Sequence, residues 1–348
     1  MKLGLVKPAR VRPGDTVAVV SPCSPVVDWW EHRAEHARAY LESLGLRVRV
    51  MPNSGPDRAG RPVAPRSRAD DLHAAFSDPE VAVVLAAIGG DHAVELLPHL
   101  DRGLIRANPK LFQGYSDVTV LHWALLELAG LVTFHGPALL SELGEHPRVL
   151  AATDASLQAA WFGDGPLRFA PARVWTDEFL DWGRRRDLTR PRELRASGGW
   201  VTIREGVAEG SLVGGCLETI CRHLMGSRVW LDLRGALLFL ETSEEVPPPE
   251  RVDAYLAQLA EAGVFEQIAG LVVGRPFGYG PERALQLWAL AARWTQASGV
   301  PVLGNVECGH ADPMLTMPLG VRARLDATAK ALETLELAVT SQSSAGLG

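Results

Sequence analysis

Ser116 combines a reactive side chain with a setting that could activate it. It lies in LFQGYSDVTVLHWAL (residues 111–125), where a short apolar run meets an amphipathic stretch. A strand, a tight turn and a helix would hold its hydroxyl at the carboxyl edge of a parallel sheet, with the Asp117 N–H at a helix N-terminus as an oxyanion donor. Gly114 and Ser116 match half of a G-x-S-x-G nucleophile turn, but residue 118 is valine. The alternative is that Ser116 or Asp117 only caps the helix.

A pair of glycines could supply a second oxyanion donor. Gly89 and Gly90 follow the apolar run that ends at Ile88 and precede another helical pattern. Glycine lets the backbone approach a ligand closely and exposes its N–H groups. These N–H groups could act beside that of Asp117. The alternative is a plain turn between strand and helix.

Two residues that are distant in the chain could complete a catalytic group. Glu241 ends the apolar run ALLFLE, as expected of a carboxylate that a strand tip directs into a cleft. His310 follows a glycine in VLGNVECGHAD, so we expect it on a loop. A serine nucleophile needs a base, and a catalytic imidazole needs a carboxylate to orient it. Ser116, His310 and Glu241 would fill these roles, with Glu307 and Asp312 as rival acids.

A metal site has weaker support. His32 and His36 are four residues apart in a predicted helix, so they could ligate one ion. No third ligand is evident nearby, which favours a solvated helix face. The four cysteines include one C-x4-C pair, which matches no zinc spacing. We therefore expect reduced thiols and no metal or other cofactor.

The first 146 residues alternate β-rich runs with helical patterns. We predict strands at residues 16–20, 46–51, 81–88 and 110–113, and helices at residues 30–44, 67–77, from 93, and 118–129. Such alternation, with continuous apolar strands, is typical of a parallel sheet covered by helices on both faces. We expect residues 1–146 to form an α/β domain that bears the nucleophile.

After residue 146 the sequence pattern changes at residue 147 and again at residue 200. Residues 147–199 are charged, rich in Arg and Trp and without clear apolar periodicity, as expected of a linker with a substrate-facing loop. From residue 200 onward strands and helices return, so we expect residues 200–340 to form a second domain that bears Glu241 and His310. Residues 341–348 have the composition of a disordered tail.

Composition and charge exclude several functional classes. The 348 residues are 47% hydrophobic and 22% charged, and the chain is long enough for two domains. A formal net charge of -6 gives no basic surface for nucleic acid or an anionic membrane. The sequence has no apolar signal region and no run of about 18 apolar residues. We expect a cytoplasmic protein that acts on peptides or small molecules.

With these motifs in this order, the chain resembles the serine peptidase family of LD-carboxypeptidases and microcin C immunity proteins. The resemblance covers nearly the whole chain and is therefore far more specific than any one tripeptide. The segments that carry it are RPGDTVAVVSPCSP, IGGDHAVELLPHLD, NPKLFQGYSDVTVLHWALLELAGLVTFHGP, GSLVGGCLETICRHLMGS, ALLFLETSEEVPPPERVDAYLAQL and GNVECGHADPMLTMPLGVRARLD.

The resemblance implies a fold, a catalytic triad and an assembly. It implies an N-terminal α/β domain and a C-terminal mixed β/α domain, with the active site in the groove between them, and a homodimer. The triad positions carry over to Ser116, Glu241 and His310. The chain departs from the family at Cys216, where Asn is usual, and at Thr242, where an acid commonly follows the triad glutamate.

The resemblance leaves two substrates open. One branch removes terminal D-Ala from murein tetrapeptides during murein recycling, and the other hydrolyses the amide bond of aminoacyl-nucleotide antibiotics. The long interval between Ser116 and Glu241 and the loop of residues 175–195 are more like the immunity branch, where an aromatic side chain stacks on the base. Trp182 is the candidate for that role, unless it only packs on the linker.

Two further questions stay open at this level. An Arg in the linker or second domain, such as Arg195 or Arg275, could pair with a terminal carboxylate of the substrate, and the sequence does not choose among the many Arg residues. A non-catalytic protein that binds a peptide or a nucleotide in the same groove is the alternative to an enzyme.

Overall fold

The computed structural model describes residues 4–25 and 30–341. Apart from Ser341, the expected tail lies outside these ranges. No helix in them is both long enough and apolar enough to span a lipid bilayer. The α-helices are α1 (Glu31–Ser43), α2 (Pro65–Ser77), α3 (Arg102–Ala107), α4 (Thr119–Ala129), α5 (Ala151–Phe162), α6 (Leu217–Thr219), α7 (Pro249–Glu261), α8 (Val264–Gln267) and α9 (Pro281–Trp294).

The strands form two large sheets and one small one. They are β1 (Thr16–Val20), β2 (Arg47–Val50), β3 (Val81–Ala86), β4 (Leu111–Gly114), β5 (Thr133–His135), β6 (Arg168–Phe169), β7 (Val174–Trp175), β8 (Arg195–Ala196), β9 (Val201–Arg204), β10 (Val207–Cys216), β11 (Leu237–Glu241), β12 (Gly270–Gly274), β13 (Val302–Val306), β14 (Met317–Leu319), β15 (Arg322–Asp326) and β16 (Ala331–Thr334).

The first sheet confirms the predicted parallel, helix-flanked architecture. Its order is β14-β5-β4-β3-β1-β2, and β1 to β5 pair in parallel. The strands β1 and β3 are almost wholly buried, as their apolar sequences predicted. The edge strand β14 was not predicted. It comes from the far end of the chain and pairs antiparallel with β5.

The second sheet is mixed, in agreement with the fold class that the resemblance implied. Its order is β6-β16-β15-β10-β11-β12-β13-β9. The strands β10 to β13 are parallel, whereas β9, β15, β16 and β6 pair antiparallel. The long strand β10 joins the two parts, because its first half pairs with β15 and its second half pairs with β11.

Residues 147–199 hold more regular structure than their composition indicated. The helix α5 occupies the first part of this segment and buries Thr153, Leu157, Ala160 and Trp161. Their spacing follows one helical face, but the apolar stripe is short and adjoins a strongly charged stretch. The predicted helix from residue 93 also differs, since Ala93–His99 is a 3-10 helix that contains Pro98.

The helix α4 joins the two large sheets. Trp123, which has 0% exposure, donates its indole N–H to Gly214 O of β10 at 2.9 Å. At the end of β10, Cys216 N donates to Thr119 Oγ1 at 3.1 Å. A Cβ on Gly215 would lie 2.5 Å from Thr119 Oγ1, so only glycine permits this approach. Buried apolar side chains continue from one sheet to the other as a single cluster.

The bond between Trp123 and Gly214 predicts a measurable loss of stability. Replacing Trp123 with Phe removes the donor and leaves the buried Gly214 carbonyl without it. We expect this to lower the free energy of unfolding by about 1–3 kcal/mol, in addition to the loss from the smaller ring. Urea denaturation of Trp123→Phe measures the loss. Trp288→Phe is the control, because that residue is only 9% exposed and its side chain makes no hydrogen bond among the described residues. Equal losses in the two variants would contradict the prediction.

Candidate active site

Ser116 lies on a strained turn between β4 and α4. Its φ is +63°, whereas Tyr115 before it is extended with φ of -153°. A left-handed conformation costs a non-glycine residue about 1–2 kcal/mol, and such strain is often found at functional sites. The 3-10 turn Ser116–Val118 leads directly into α4. This is the geometry of a nucleophile turn, although residue 118 is not the glycine of that motif.

The capping alternative does not account for this turn. Asp117 Oδ2 accepts the backbone N–H of Ala93 at 2.8 Å, so this carboxylate holds the neighbouring 3-10 segment in place. Ser116 Oγ makes no hydrogen bond among the described residues, and its side chain lines a cavity. The hydroxyl is therefore available to a ligand.

Gly89 and Gly90 lie directly beside Ser116. A Cβ on Gly89 would be 2.9 Å from Ser116 Oγ and 3.6 Å from Asp117 N. Gly90 has φ of +146°, and a Cβ there would overlap Ser24. Both positions thus need glycine for close approach, and the strand-end backbone runs past the serine hydroxyl as an oxyanion site requires.

Glu241 and His310 form a buried contact. His310 Nδ1 donates to Glu241 Oε2 at 2.8 Å. The His310 side chain is 6% exposed and the Glu241 side chain is 0% exposed. Glu241 is the last residue of β11, and Gly309 lets the loop after β13 come close, since a Cβ there would lie 2.8 Å from Glu241 Oε2. The ring of Tyr115 packs on His310 with 4.9 Å between ring centroids, which places the imidazole next to the serine turn.

The buried contact changes the proton affinity of both partners. Burial raises the pKa of Glu241, and the contact with His310 opposes that rise. Burial by itself lowers the pKa of His310, but the charges and contacts of Glu241 and then Glu244 outweigh it and hold the pKa well above 6.5. A carboxylate next to an imidazole favours the imidazolium form, as a general base requires once it has taken a proton.

Glu244 occupies the other side of the imidazole. Its Oε2 lies 2.8 Å from His310 Nε2. The contact is short but poorly directed, because Nε2 has no hydrogen-bond partner of good geometry among the described residues. No hydrogen bond between Ser116 and His310 occurs in the described part of the chain. The structure therefore brings Glu241 to His310, and places Ser116 and His310 on the walls of one cavity without joining them.

The rival acids for His310 have other partners. Glu307 accepts the indole N–H of Trp200 at 2.6 Å and pairs with Arg275 at 3.0 Å. Asp312 pairs with Arg192 at 2.6 Å. Glu241 is thus the carboxylate that orients His310 through Nδ1.

The two candidate arginines for a substrate carboxylate are also engaged elsewhere. Arg195 pairs with Asp177 and stacks on Trp175, and Arg275 is buried against Glu307. Neither lines the cavity. The guanidinium groups that do line it belong to Arg33, which sequence analysis missed, and to Arg192, which lies in the linker but was not singled out there. Arg33 bonds to Asp187, 154 residues away, and Arg192 bonds to Glu145 and Asp312, 47 and 120 residues away, so no local pattern marks them.

Trp182 does line the cavity. Its ring packs under the Arg33 guanidinium at 4.1 Å and meets the edge of Trp30 at 5.1 Å. Phe179, which is 63% exposed, lies 5.5 Å away on the same wall. Trp182 is thus both a packed side chain and part of the cavity surface, so the two interpretations of it are compatible. The cavity holds about 320 Å³.

Tyr115 and Glu142 belong to the site but were not predicted. The Tyr115 hydroxyl donates to Glu142 Oε1 at 2.8 Å, and Ala138 N donates to Glu142 Oε2 at 2.9 Å. Burial, followed by the charge of Asp312, raises the pKa of Glu142 to about 7. The only signal in the sequence that placed Tyr115 in the site was its position next to Ser116.

The histidine pair of α1 does not form a solvated face. His32 is 7% exposed, and its Nε2 lies 3.1 Å from Asp187 Oδ2, while His36 stacks on His146 at 5.2 Å. The expectation of a solvated face was wrong for His32, because Asp187 comes from a distant segment. The described residues contain no cluster of three or more metal-ligating side chains.

The crowding at Gly89 predicts a specific loss of function. A Cβ there would lie 2.7 Å from Ser116 Cβ, so Gly89→Ala must displace the serine or the oxyanion donors. We expect kcat to fall about 10²- to 10³-fold while the fold persists. Steady-state kinetics and circular dichroism measure the two effects. Gly165→Ala is the matched control, since a Cβ there meets nothing within 4 Å. Unchanged kcat in Gly89→Ala would contradict this assignment.

Comparisons with known proteins find relatives along almost the whole chain. The N-terminal domain model of the LD-carboxypeptidases (peptidase S66) matches residues 17–136, and their C-terminal domain model matches residues 209–325. The probable murein peptide carboxypeptidase of Bacillus subtilis (strain 168) is 33% identical over 96% of this chain and 95% of its own length. The microcin C7 self-immunity protein MccF of Escherichia coli is 29% identical over 90% of this chain and 91% of its own.

Solved structures show the same fold. MccF in complex with glutamyl sulfamoyl guanosine has a TM-score of 0.88 and 27% identity over 96% of this chain and 99% of that one. The MccF-like protein from Bacillus anthracis str. Ames has a TM-score of 0.84 and 29% identity over 94% and 98%. With both family models matched and its relatives aligned almost end to end, the chain belongs to the LD-carboxypeptidase family of serine peptidases.

Proposed function

We propose that the chain hydrolyses an amide bond through Ser116, His310 and Glu241. The observation that carries the proposal is the buried Glu241–His310 contact, whose imidazole lines the same cavity as the strained Ser116 turn. A strand-end carboxylate, an imidazole fixed through Nδ1 and a raised hydroxyl supply the three roles of a serine hydrolase triad.

The roles follow from the chemistry of each group. His310 Nε2 takes the proton of Ser116 as the hydroxyl attacks the scissile carbonyl. The N–H groups of Asp117 and of the Gly89–Gly90 turn stabilise the oxyanion of the tetrahedral intermediate. His310 then protonates the leaving amine, and water hydrolyses the acyl-enzyme by the same route in reverse.

The substrate that we propose first is an L,D-peptide of murein. The family model is that of LD-carboxypeptidases, and relatives are named probable murein peptide carboxypeptidase and murein tetrapeptide carboxypeptidase. A cavity of about 320 Å³ would enclose the end of a short peptide. In this role the protein releases a terminal D-amino acid during murein recycling in the cytoplasm.

The same proposal includes a homodimeric assembly and two domains. The family resemblance favours a homodimer, with domains at residues 1–146 and 200–340 and a substrate loop between them. The strand β14 adds to the first sheet from within the second range, so the second unit would contribute one edge strand to the sheet of the first.

Loss of the nucleophile tests the proposal. Ser116→Ala should lower kcat at least about 10³-fold on any accepted substrate, because the variant lacks the hydroxyl that forms the proposed acyl-enzyme. A fluorophosphonate probe should label the wild type and Ser24→Ala, a control serine that lines the same cavity, but not Ser116→Ala. A wild type that binds peptide or nucleotide yet resists the probe would favour the non-catalytic alternative.

A second candidate function is hydrolysis of aminoacyl nucleotides. Trp182 on the cavity wall favours it, as do the MccF structures solved with glutamyl sulfamoyl guanosine and aspartyl sulfamoyl adenosine. An aromatic ring on that wall could stack on a base.

Trp182→Ala separates the two substrates. If a base stacks there, KM for an aminoacyl sulfamoyl adenosine should rise about 10- to 100-fold, because base stacking contributes about 1–3 kcal/mol, while KM for a murein tetrapeptide stays nearly constant. Steady-state assays of both compounds measure the effect. Trp175→Ala is the control, since Trp175 packs on Arg195 and Arg275 outside the cavity. Equal changes for both compounds would remove the support for a nucleotide substrate.

A further inference from the structure

The contact between Glu244 and His310 is at odds with the proposed reaction. Nε2 must accept the Ser116 proton, yet Glu244 Oε2 lies 2.8 Å from that nitrogen. His310 is 6% exposed and faces the cavity with no well-directed partner at Nε2 among the described residues. The Glu244 side chain is 63% exposed, so it is free to move away when something else binds it.

The surroundings of His310 favour its protonated form. Glu241 faces it from β11 and Glu244 from the loop that follows. The Tyr115 ring makes a T-shaped contact with the His310 ring at 4.9 Å, and the ring of His135 in β5 lies 6.2 Å from that of Tyr115. Glu142 accepts the Tyr115 hydroxyl at 2.8 Å, and Asp312 lines the same cavity. Two carboxylates against one imidazole stabilise the imidazolium, which cannot act as a base. Glu244 must therefore move away from Nε2, while Glu241 stays at Nδ1, before His310 can take the proton of Ser116.

The cavity has an excess of negative charge. Its wall carries two guanidinium groups and six carboxylates, which are those of Glu142, Glu145, Glu178, Asp187, Glu244 and Asp312. Most of them are already paired: Arg33 pairs with Asp187 and Glu145, Arg192 with Glu145 and Asp312, and Arg190 with Glu178.

Two of the six carboxylates differ from the others. Glu142 is buried and hydrogen-bonded by Tyr115, Ser141 and Ala138. Glu244 is exposed, and among the described residues its charged partner is His310 alone. It is therefore the cavity carboxylate that an incoming cation can reach.

We propose that Glu244 binds an ammonium group on the acyl-side residue of the substrate, and that this pairing withdraws Glu244 from His310 and frees Nε2 for Ser116. The inference rests on the proposed hydrolytic function and adds the substrate class: peptides or aminoacyl compounds with a free amine on the residue that supplies the scissile carbonyl. A substrate ammonium ion replaces the imidazolium as the partner of Glu244, so the carboxylate exchanges one charge-assisted contact for another.

The first test compares substrates that differ only in charge. They are a tetrapeptide ending in L-lysyl-D-alanine and an aminoacyl sulfamoyl adenosine, each with its amine free or acetylated. For the accepted compound, kcat/KM of the wild type should be at least about tenfold higher with the free amine. Glu244→Gln should remove that preference. Glu245→Gln should retain it, because Glu245 pairs with Arg222 and does not line the cavity.

The pH profile supplies a readout that a purely structural role would not change. His310 must be neutral to act as a base, so kcat/KM rises with pH through the pKa of His310 in the free enzyme. Loss of the Glu244 charge removes one cause of the raised pKa, so the acid limb in Glu244→Gln should move about one pH unit lower. Glu245→Gln should leave the limb in place, and an unshifted limb in Glu244→Gln would overturn the inference.

Binding to the inactive protein separates this inference from the proposed function. If the wild type cleaves no compound, the proposed function fails, and calorimetry on Ser116→Ala still measures the preference for the free amine. Preferential binding that disappears in Ser116→Ala/Glu244→Gln would support the role of Glu244. The role of Glu244 would be overturned if Ser116→Ala showed no preference for the free amine in either the tetrapeptide or the aminoacyl sulfamoyl adenosine. This holds whether the free and acetylated forms bind equally well or neither form binds. Cleavage of free and acetylated compounds at equal rates would overturn it while leaving the hydrolytic function intact.

Discussion

The site depends on the burial of one carboxylate. Glu241 has 0% side-chain exposure at the tip of β11, and a charge that deep must be paired to be tolerated. His310 meets this requirement through Nδ1, and Gly309 permits the approach because a side chain there would collide with Glu241. The same contact fixes the orientation of the imidazole, so the constraint that satisfies the buried charge also directs Nε2 toward the cavity.

The contact between α4 and β10 positions Ser116 relative to Glu241 and His310. Thr119 begins α4 three residues after Ser116 and accepts the N–H of Cys216, and Cys216 pairs with Glu241 in neighbouring strands. A displacement of α4 would therefore move Ser116 relative to the Glu241–His310 pair. The hydrogen bond from Trp123 to β10 holds the same helix one turn further on. Three side chains that are distant in the chain converge because one helix and two strand ends form a rigid contact.

Local patterns in the sequence predicted the strand tips and the parallel sheet. The apolar runs that end at Gly114 and Glu241 marked two of those tips, and the alternation of strands and helices indicated the sheet. Prediction failed where a partner is remote. His32 is buried because Asp187 approaches from 155 residues away, and Glu244 reaches His310 only when the loop after β13 folds back. The edge strand β14 is another long-range pairing, and its three residues carry too little periodicity to be recognised.

The cavity wall that bears Trp182 is held in place by charge. Arg33 is 1% exposed, bonds to Asp187 and to the carbonyl of Leu140, and covers the ring of Trp182. Arg192 bonds to Glu145 and Asp312. These bonds hold the segment 178–192 against the loop that contains Glu145 and against the loop that contains His310. Buried guanidinium groups with two or more acceptors lose little further entropy when a ligand binds. The wall is therefore organised in advance for its ligand, which leaves the exposed Glu244 as the side chain that can respond to it.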